Sequence, residues 1–211
     1  IGYTVYLELL GQRFLDKELL STPMRKEVER CRLCFEKAAQ GRRVALLCSG
    51  DAGIYGMASL MYEIGEEYPD CELCVVPGIT AASSGAAVLG APLGHDFCVV
   101  SLSDLLTPWE LIERRLRAAA AGDFCIAVYN PASRKRSDYL CRACDILLET
   151  LPAKRACGYV ENIGREGERP AVCTLEELRG CKVNMFTTVF VGNSQTRIVG
   201  GRRVTRRGYQ S

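Results

Sequence analysis

Histidine is almost missing from this 211-residue chain, with His95 the only one. No Ser/His/Asp or Cys/His hydrolase signature stands out, and GxSxG is absent as well. An excess of either charge is also missing. Lys and Arg number 27 against 25 Asp and Glu, a net charge of +2. A general nucleic-acid binder carries a clear basic excess, so that class is set aside. The one dense basic cluster, GGRRVTRRGYQS, reads as a solvated tail. No apolar run reaches the ~20 residues of a membrane span. The opening IGYTVYLELLG has no basic segment ahead of its apolar part, so no signal peptide is read and a cytoplasmic setting is expected. GxxxxGK[ST] and GxGxxG are both absent, which excludes a P-loop and a dinucleotide fingerprint.

Cysteine, by contrast, is plentiful at 12. Cys48, Cys98, Cys125 and Cys173 sit in strand-like apolar runs, as small core residues of a reducing compartment would. Cys31/Cys34, Cys71/Cys74 and Cys141/Cys144 have CxxC spacing, but no His or second CxxC follows at a zinc-site distance. They are read as packing residues, and no metal site is expected.

Strand-like and helix-like segments alternate. The strand candidates are 44–48, 72–76, 97–101, 124–129, 156–160 and 185–191. Between them, MRKEVERCRLCFEKAAQG follows Thr22-Pro23 as cap and first turn. Residues 54–67 place Met57, Leu60, Met61 and Ile64 on one face. TPWELIERRLRAAAAG opens with Thr107 as cap, Pro108 at the first helical position and Glu110 completing a capping box. SRKRSDYLCRACDILLET has the same helical character. The rhythm predicts an α/β protein with mostly parallel strands. The Gly/Pro-rich stretch LGAPLGHDF marks a boundary between domains 1–92 and 93–211.

In open α/β sheets, ligands bind beyond the carboxyl ends of strands. The segments that follow the strand candidates are SGDAGIYG, Pro77–Gly85, Leu102-Ser103-Asp104, Asn130-Pro131 and Gly192-Asn193-Ser194. They are small, polar or glycine-rich. Gly50 and Gly53 let backbone approach a ligand, and a following helix presents free N–H groups. His95 lies in the inter-domain stretch beside Asp96, which places it among the candidate functional groups.

The segments SGDAGIYGMASL, VVPGITAASSGAAVLGAPLGHDFCVVSLSDLLTPWELIERRL, YNPASRKR, VENIGREGE and VGNSQTRIVGGRRVTRRGY together resemble the tetrapyrrole (corrin/porphyrin) methylase family, over essentially the whole chain. The resemblance implies two α/β domains with an S-adenosylmethionine (SAM) cleft between them, and a homodimer. It implies methyl transfer to C17 of a tetrapyrrole, with contraction of the macrocycle and S-adenosylhomocysteine as the other product. Gly50, Asp51 and Ile54 correspond to the family's cofactor loop, and Thr80 and Ala81 to a second contact. Tyr129, Asn130 and Thr174 stand where further SAM contacts are expected. The family usually opens with a strand and a GxGPG-type loop ahead of the segment matching GYTVYLELL. Neither stands in this sequence, nor does an initiator Met, so a fragment is expected.

Methyl transfer from a sulfonium needs alignment and a dry site more than a base. Ring contraction moves protons, and the candidates for that are His95, Asp104 and Glu161. Arg134, Lys135 and Arg136, just after YNP, are placed to grip the substrate's carboxylates. Two other readings stay open: a methyltransferase of the same fold acting on another tetrapyrrole, on RNA or on protein, and a SAM-binding module without catalysis.

Overall fold

The computed structural model describes residues 1–14, 16–133 and 135–209. The chain divides into two compact units, Ile1–Thr80 and Ala81–Ser211. The division falls ahead of the Gly/Pro stretch because residues 81–89 form a helix that packs on the second unit's sheet.

The first unit holds β1 (Gly2–Tyr3), α1 (Thr4–Glu8), β2 (Ser21–Thr22), α2 (Glu27–Ala39) and α3 (Ala58–Gly65). Strands β1 and β2 pair in parallel. Its core forms where the apolar faces of α2 and α3 meet: Cys31, Cys34, Phe35, Met61 and Ile64 are buried together. Phe35 stacks on Tyr68 with ring centroids 5.0 Å apart. The Cys31/Cys34 pair is thus core, and burial pushes each thiol up to about 11. Helix α2 begins at Glu27 with Lys26 as an unassisted cap, so Thr22-Pro23 does not open it. Thr22 instead accepts from the buried Arg30 guanidinium through its hydroxyl.

The strands expected at 44–48 and 72–76 do not form ladders among the described residues. Residues 45–47 bond to the chain start: the Ile1 amino group donates to Ala45 O at 2.8 Å, and Leu47 N–H donates to Ile1 O at 2.8 Å. An apolar β-prone run becomes a strand only when a second segment pairs with it over several residues.

The second unit is built from α4 (Ala81–Leu89), β3 (Gly90–Ala91), β4 (Phe97–Ser101), α5 (Trp109–Ala121), β5 (Cys125–Tyr129), α6 (Tyr139–Leu148), β6 (Ala156–Glu161), β7 (Arg169–Thr174), α7 (Leu175–Arg179), β8 (Thr187–Val191), β9 (Thr196–Val199) and β10 (Arg202–Thr205). The main sheet has the order β4-β5-β8-β6-β7, and a smaller one the order β3-β10-β9. The expected parallel pairing holds in the main sheet only for β4 and β5; the β5–β8, β8–β6 and β6–β7 pairs are antiparallel. The α/β class stands, with a mixed sheet. Helix α5 supplies the crossover that a parallel pair needs, whereas β8 inserts in the reverse direction between β5 and β6.

The sheet is buried on both faces by strict alternation. Ile126, Val128, Val189 and Val191 face the helices α5, α6 and α7, with Ile112, Leu116, Leu147 and Leu178. Ala127, Val160 and Phe190 face the other way, onto Ala82, Ala86 and Leu89 of α4. That second contact is very close. A Cβ on Gly85 would lie 2.8 Å from the Ile163 side chain and 2.9 Å from the Phe190 ring. Helix α5 starts at Trp109 with Pro108 as cap and no side-chain cap bond, so the capping box expected at Thr107 is absent. A complete capping box stands instead at α7, between Thr174 and Glu177.

Candidate functional site

Strands β4 and β5 are parallel, and β8 is antiparallel to both β5 and β6. The carboxyl ends of β4, β5 and β6 therefore share one edge of the sheet. Ser101 ends β4 there, followed by Ser103 and Asp104; Tyr129 ends β5, followed by Asn130; and Glu161 ends β6. The Tyr129 hydroxyl accepts the Ala82 N–H at 2.6 Å and so fixes the first turn of α4, beside Ala81. Asn130 takes a left-handed backbone, φ +52°, which Asn tolerates better than most residues. Its amide then donates to Ser101 Oγ at 3.0 Å.

The densest cluster centres on Asp104. Its Oδ2 accepts from the Tyr139 hydroxyl at 2.5 Å, and its Oδ1 faces Arg136 Nε at 3.1 Å. Arg136 Nη1 donates to Ser103 Oγ at 3.1 Å. The Tyr139 bond and then the Arg136 charge hold the Asp104 carboxyl below the usual carboxylate range, while the same bond pushes the Tyr139 phenol up. Asp104 is thus an anion at neutral pH with both oxygens engaged, a poor proton donor or acceptor. Tyr139 is steadied by Trp109, ring centroids 4.5 Å apart, and the Arg142 guanidinium lies 4.0 Å from the Trp109 ring.

Glu161 accepts from Asn184 Nδ2 at 2.7 Å and from Arg169 Nη2 at 2.9 Å. Lys135 is exposed, and Arg134 lies outside the described residues. His95 precedes β4 and so lies at the opposite edge of the sheet from Asp104, a strand's length away, roughly 16 Å. There it lines a cavity of about 470 Å³ with Asp96, Phe97, Phe124 and Arg207. Its Nδ1 accepts the Asp96 N–H at 2.9 Å. The structure does not bring His95 together with Asp104 and Glu161. Thr174 ends β7, which runs against β6, so it too stands at that opposite edge. Its hydroxyl accepts the Glu177 N–H as a helix cap.

In the first unit, the SGDAG loop is tied to the PGIT loop. Gly50 has φ +77°. Asp51 Oδ1 accepts the Gly53 N–H and Oδ2 the Gly78 N–H, both at 2.8 Å. These bonds, that of Gly78 first, hold the Asp51 carboxyl below its ordinary range. A Cβ on Gly78 would lie 2.0 Å from Gly50 O, so two bare backbones lie against each other. Ile54 is exposed just beyond, and Thr80 ends the second loop. Among the described residues, no group of three or more His, Cys, Asp or Glu is placed to hold a metal, and no helix is long and apolar enough to cross a membrane.

Sequence reading alone missed Tyr139, Ser103 and Gly78. Tyr139 stands three residues after Arg136, and Ser103 and Gly78 lie within the loops already singled out, so each had a positional signal.

The mixed sheet, with its small-residue helix α4 and polar strand-end loops, finds its match in one family. The model of the tetrapyrrole (corrin/porphyrin) methylases matches residues 5–179, and the chain belongs to that family of methyltransferases. A probable cobalt-factor III C(17)-methyltransferase of Salmonella typhimurium is 45% identical over 99% of this chain and 87% of its own length. A precorrin-3B C(17)-methyltransferase of Sinorhizobium sp is 41% identical over 94% of this chain and 79% of its own. The crystal structure of the methyltransferase CobJ superposes with a TM-score of 0.88 at 39% identity, covering 98% of this chain and 87% of that one.

Proposed function

We propose that this chain is a SAM-dependent C-methyltransferase of cobalamin biosynthesis that methylates C17 of a tetrapyrrole, with contraction of the ring. The observation that carries this reading is the 45% identity to a cobalt-factor III C(17)-methyltransferase along nearly the whole chain. The substrate is a cobalt-bearing factor III or the metal-free precorrin-3B; the two relatives' names divide on this point. The enzyme works in the cytoplasm as a homodimer.

SAM supplies a methyl group on a sulfonium, an electrophile that needs no activating base. The backbone of Gly50, Asp51 and Ile54, with Thr80, would hold it in the first unit. The fit rests on Gly50, whose φ of +77° favours a residue without a side chain, and on Gly78, where a Cβ would lie 2.0 Å from Gly50 O. Asp51 keeps that loop in shape, since both of its oxygens are engaged by N–H groups of the loop and its neighbour. Arg136 receives a substrate carboxylate. Orientation of the reacting carbons contributes several kcal/mol to such a displacement.

The test is direct. The chain is incubated with SAM and, in separate reactions, with cobalt-factor III and with precorrin-3B, and the products are analysed by mass spectrometry. Gain of one methyl group from one of the two, with equimolar S-adenosylhomocysteine, is the expected outcome. No methylation of either, with SAM bound normally in calorimetry, would leave the binding-module reading instead.

A further inference from the structure

We propose that Tyr139 is a positioning residue for substrate binding, acting through Asp104 on the guanidinium of Arg136. The inference rests on the reading of Arg136 as the receiver of a tetrapyrrole carboxylate. A guanidinium carries five N–H donors in a rigid plane. In Arg136, Nε lies 3.1 Å from Asp104 Oδ1 as an ion pair, and Nη1 donates to Ser103 Oγ. Nη2 has no acceptor among the described residues. A carboxylate facing an arginine ordinarily engages it with two parallel bonds. Asp104 instead meets Arg136 through Oδ1 at Nε, while its other oxygen accepts from the Tyr139 hydroxyl. The Tyr139 bond therefore orients the Asp104 carboxylate, and through it the plane of the guanidinium, with the Nη2 side turned to an incoming anion.

The support behind Tyr139 is rigid. Its ring packs against Trp109, and Arg142 lies over both rings, 4.0 and 5.1 Å from their centroids. Trp109 in turn donates to Glu113. Only 17% of the Arg136 side chain is exposed, so the group is held rather than waving in solvent. Its geometry matters when a third, anionic group arrives.

The test uses Tyr139→Phe, which removes the hydroxyl and keeps the ring, alongside Arg136→Gln and the double variant. Steady-state methyl transfer is measured with the accepted tetrapyrrole, together with SAM affinity by calorimetry and thermal melting. The expected result is a rise in KM for the tetrapyrrole of about tenfold in Tyr139→Phe, the size of one charge-assisted hydrogen bond. SAM affinity and melting temperature are expected to stay at the wild-type values. In the Arg136→Gln background, Tyr139→Phe should add nothing further. Full additivity of the two substitutions, or an unchanged KM with a lowered melting temperature, would overturn the positioning role while leaving Arg136 as the receiver. If Arg136→Gln itself leaves the tetrapyrrole KM unchanged, the underlying reading of Arg136 falls, and the positioning role with it.

Discussion

Asp51 commits its carboxylate to two backbone N–H groups, and both bonds favour the charged form. Its folded pKa lies below the unfolded one. The stability it contributes is then complete above the ordinary Asp value of about 4 and is lost as pH falls through the lower folded value. Asp51→Asn is expected to lower the urea midpoint at pH 7, and the gap to wild type should narrow progressively below pH 4. A gap of constant size down to pH 2 would assign the effect to packing instead. Gly78 is the other half of the same device. Gly78→Ala drives a methyl into Gly50 O. It should weaken SAM binding measurably in calorimetry, since the loop must shift before the residue fits. Both residues stand in segments that invite attention on sequence alone. What the sequence does not convey is that Asp51 reaches across 27 positions to bind Gly78, because the loop-to-loop contact exists only once the chain is folded.

Helix α4 is the element on which the second unit turns. Its small residues let it lie directly on Phe190, and Gly85 is the contact point. Gly85→Val should cost about 1–3 kcal/mol in equilibrium unfolding, as overpacked cores do. Its opposite in kind is α7, held by a capping box whose hydroxyl is Thr174. Thr174→Ala should cost about 1 kcal/mol. SAM affinity is expected to stay unchanged, because Thr174 stands at the sheet edge away from Tyr129 and Asn130. A loss of SAM binding in that variant would restore Thr174 to the cofactor contacts. Helices were the legible part of this sequence, since the 3.6-residue pattern is local. Their starts were less so. Thr107-Pro108 has the composition of a capped start, yet the helix opens one residue later, without the Thr hydroxyl.

At the scale of the whole molecule, alternation of strands and helices sufficed for the α/β class but not for strand direction. Pairing is decided by which segments meet, and β8, late in the chain, inserts between β5 and β6. The apolar runs at 44–48 and 72–76 look as strand-like as the four that became strands, and differ in lacking a partner of any length. Polarity also separates the site candidates. Residues before and after one strand sit at opposite ends of it, and His95 and Asp104 flank β4 in that way. Arg203 is fully buried and donates to Phe190 O at 3.0 Å and Ala156 O at 2.9 Å. Arg203→Ala strips both carbonyls of these donors and should cost about 2–4 kcal/mol in chemical denaturation.

The cysteines give the molecule a chemical clock. All twelve are free thiols, and their accessibility is graded: Cys74 is exposed, Cys31 and Cys34 are sealed in the first unit, and Cys125, Cys144 and Cys157 in the second. A maleimide in native buffer alkylates a sealed thiol only during a transient opening. Peptide-resolved labelling over time therefore reads the opening rate of each unit separately, in a single unmutated sample.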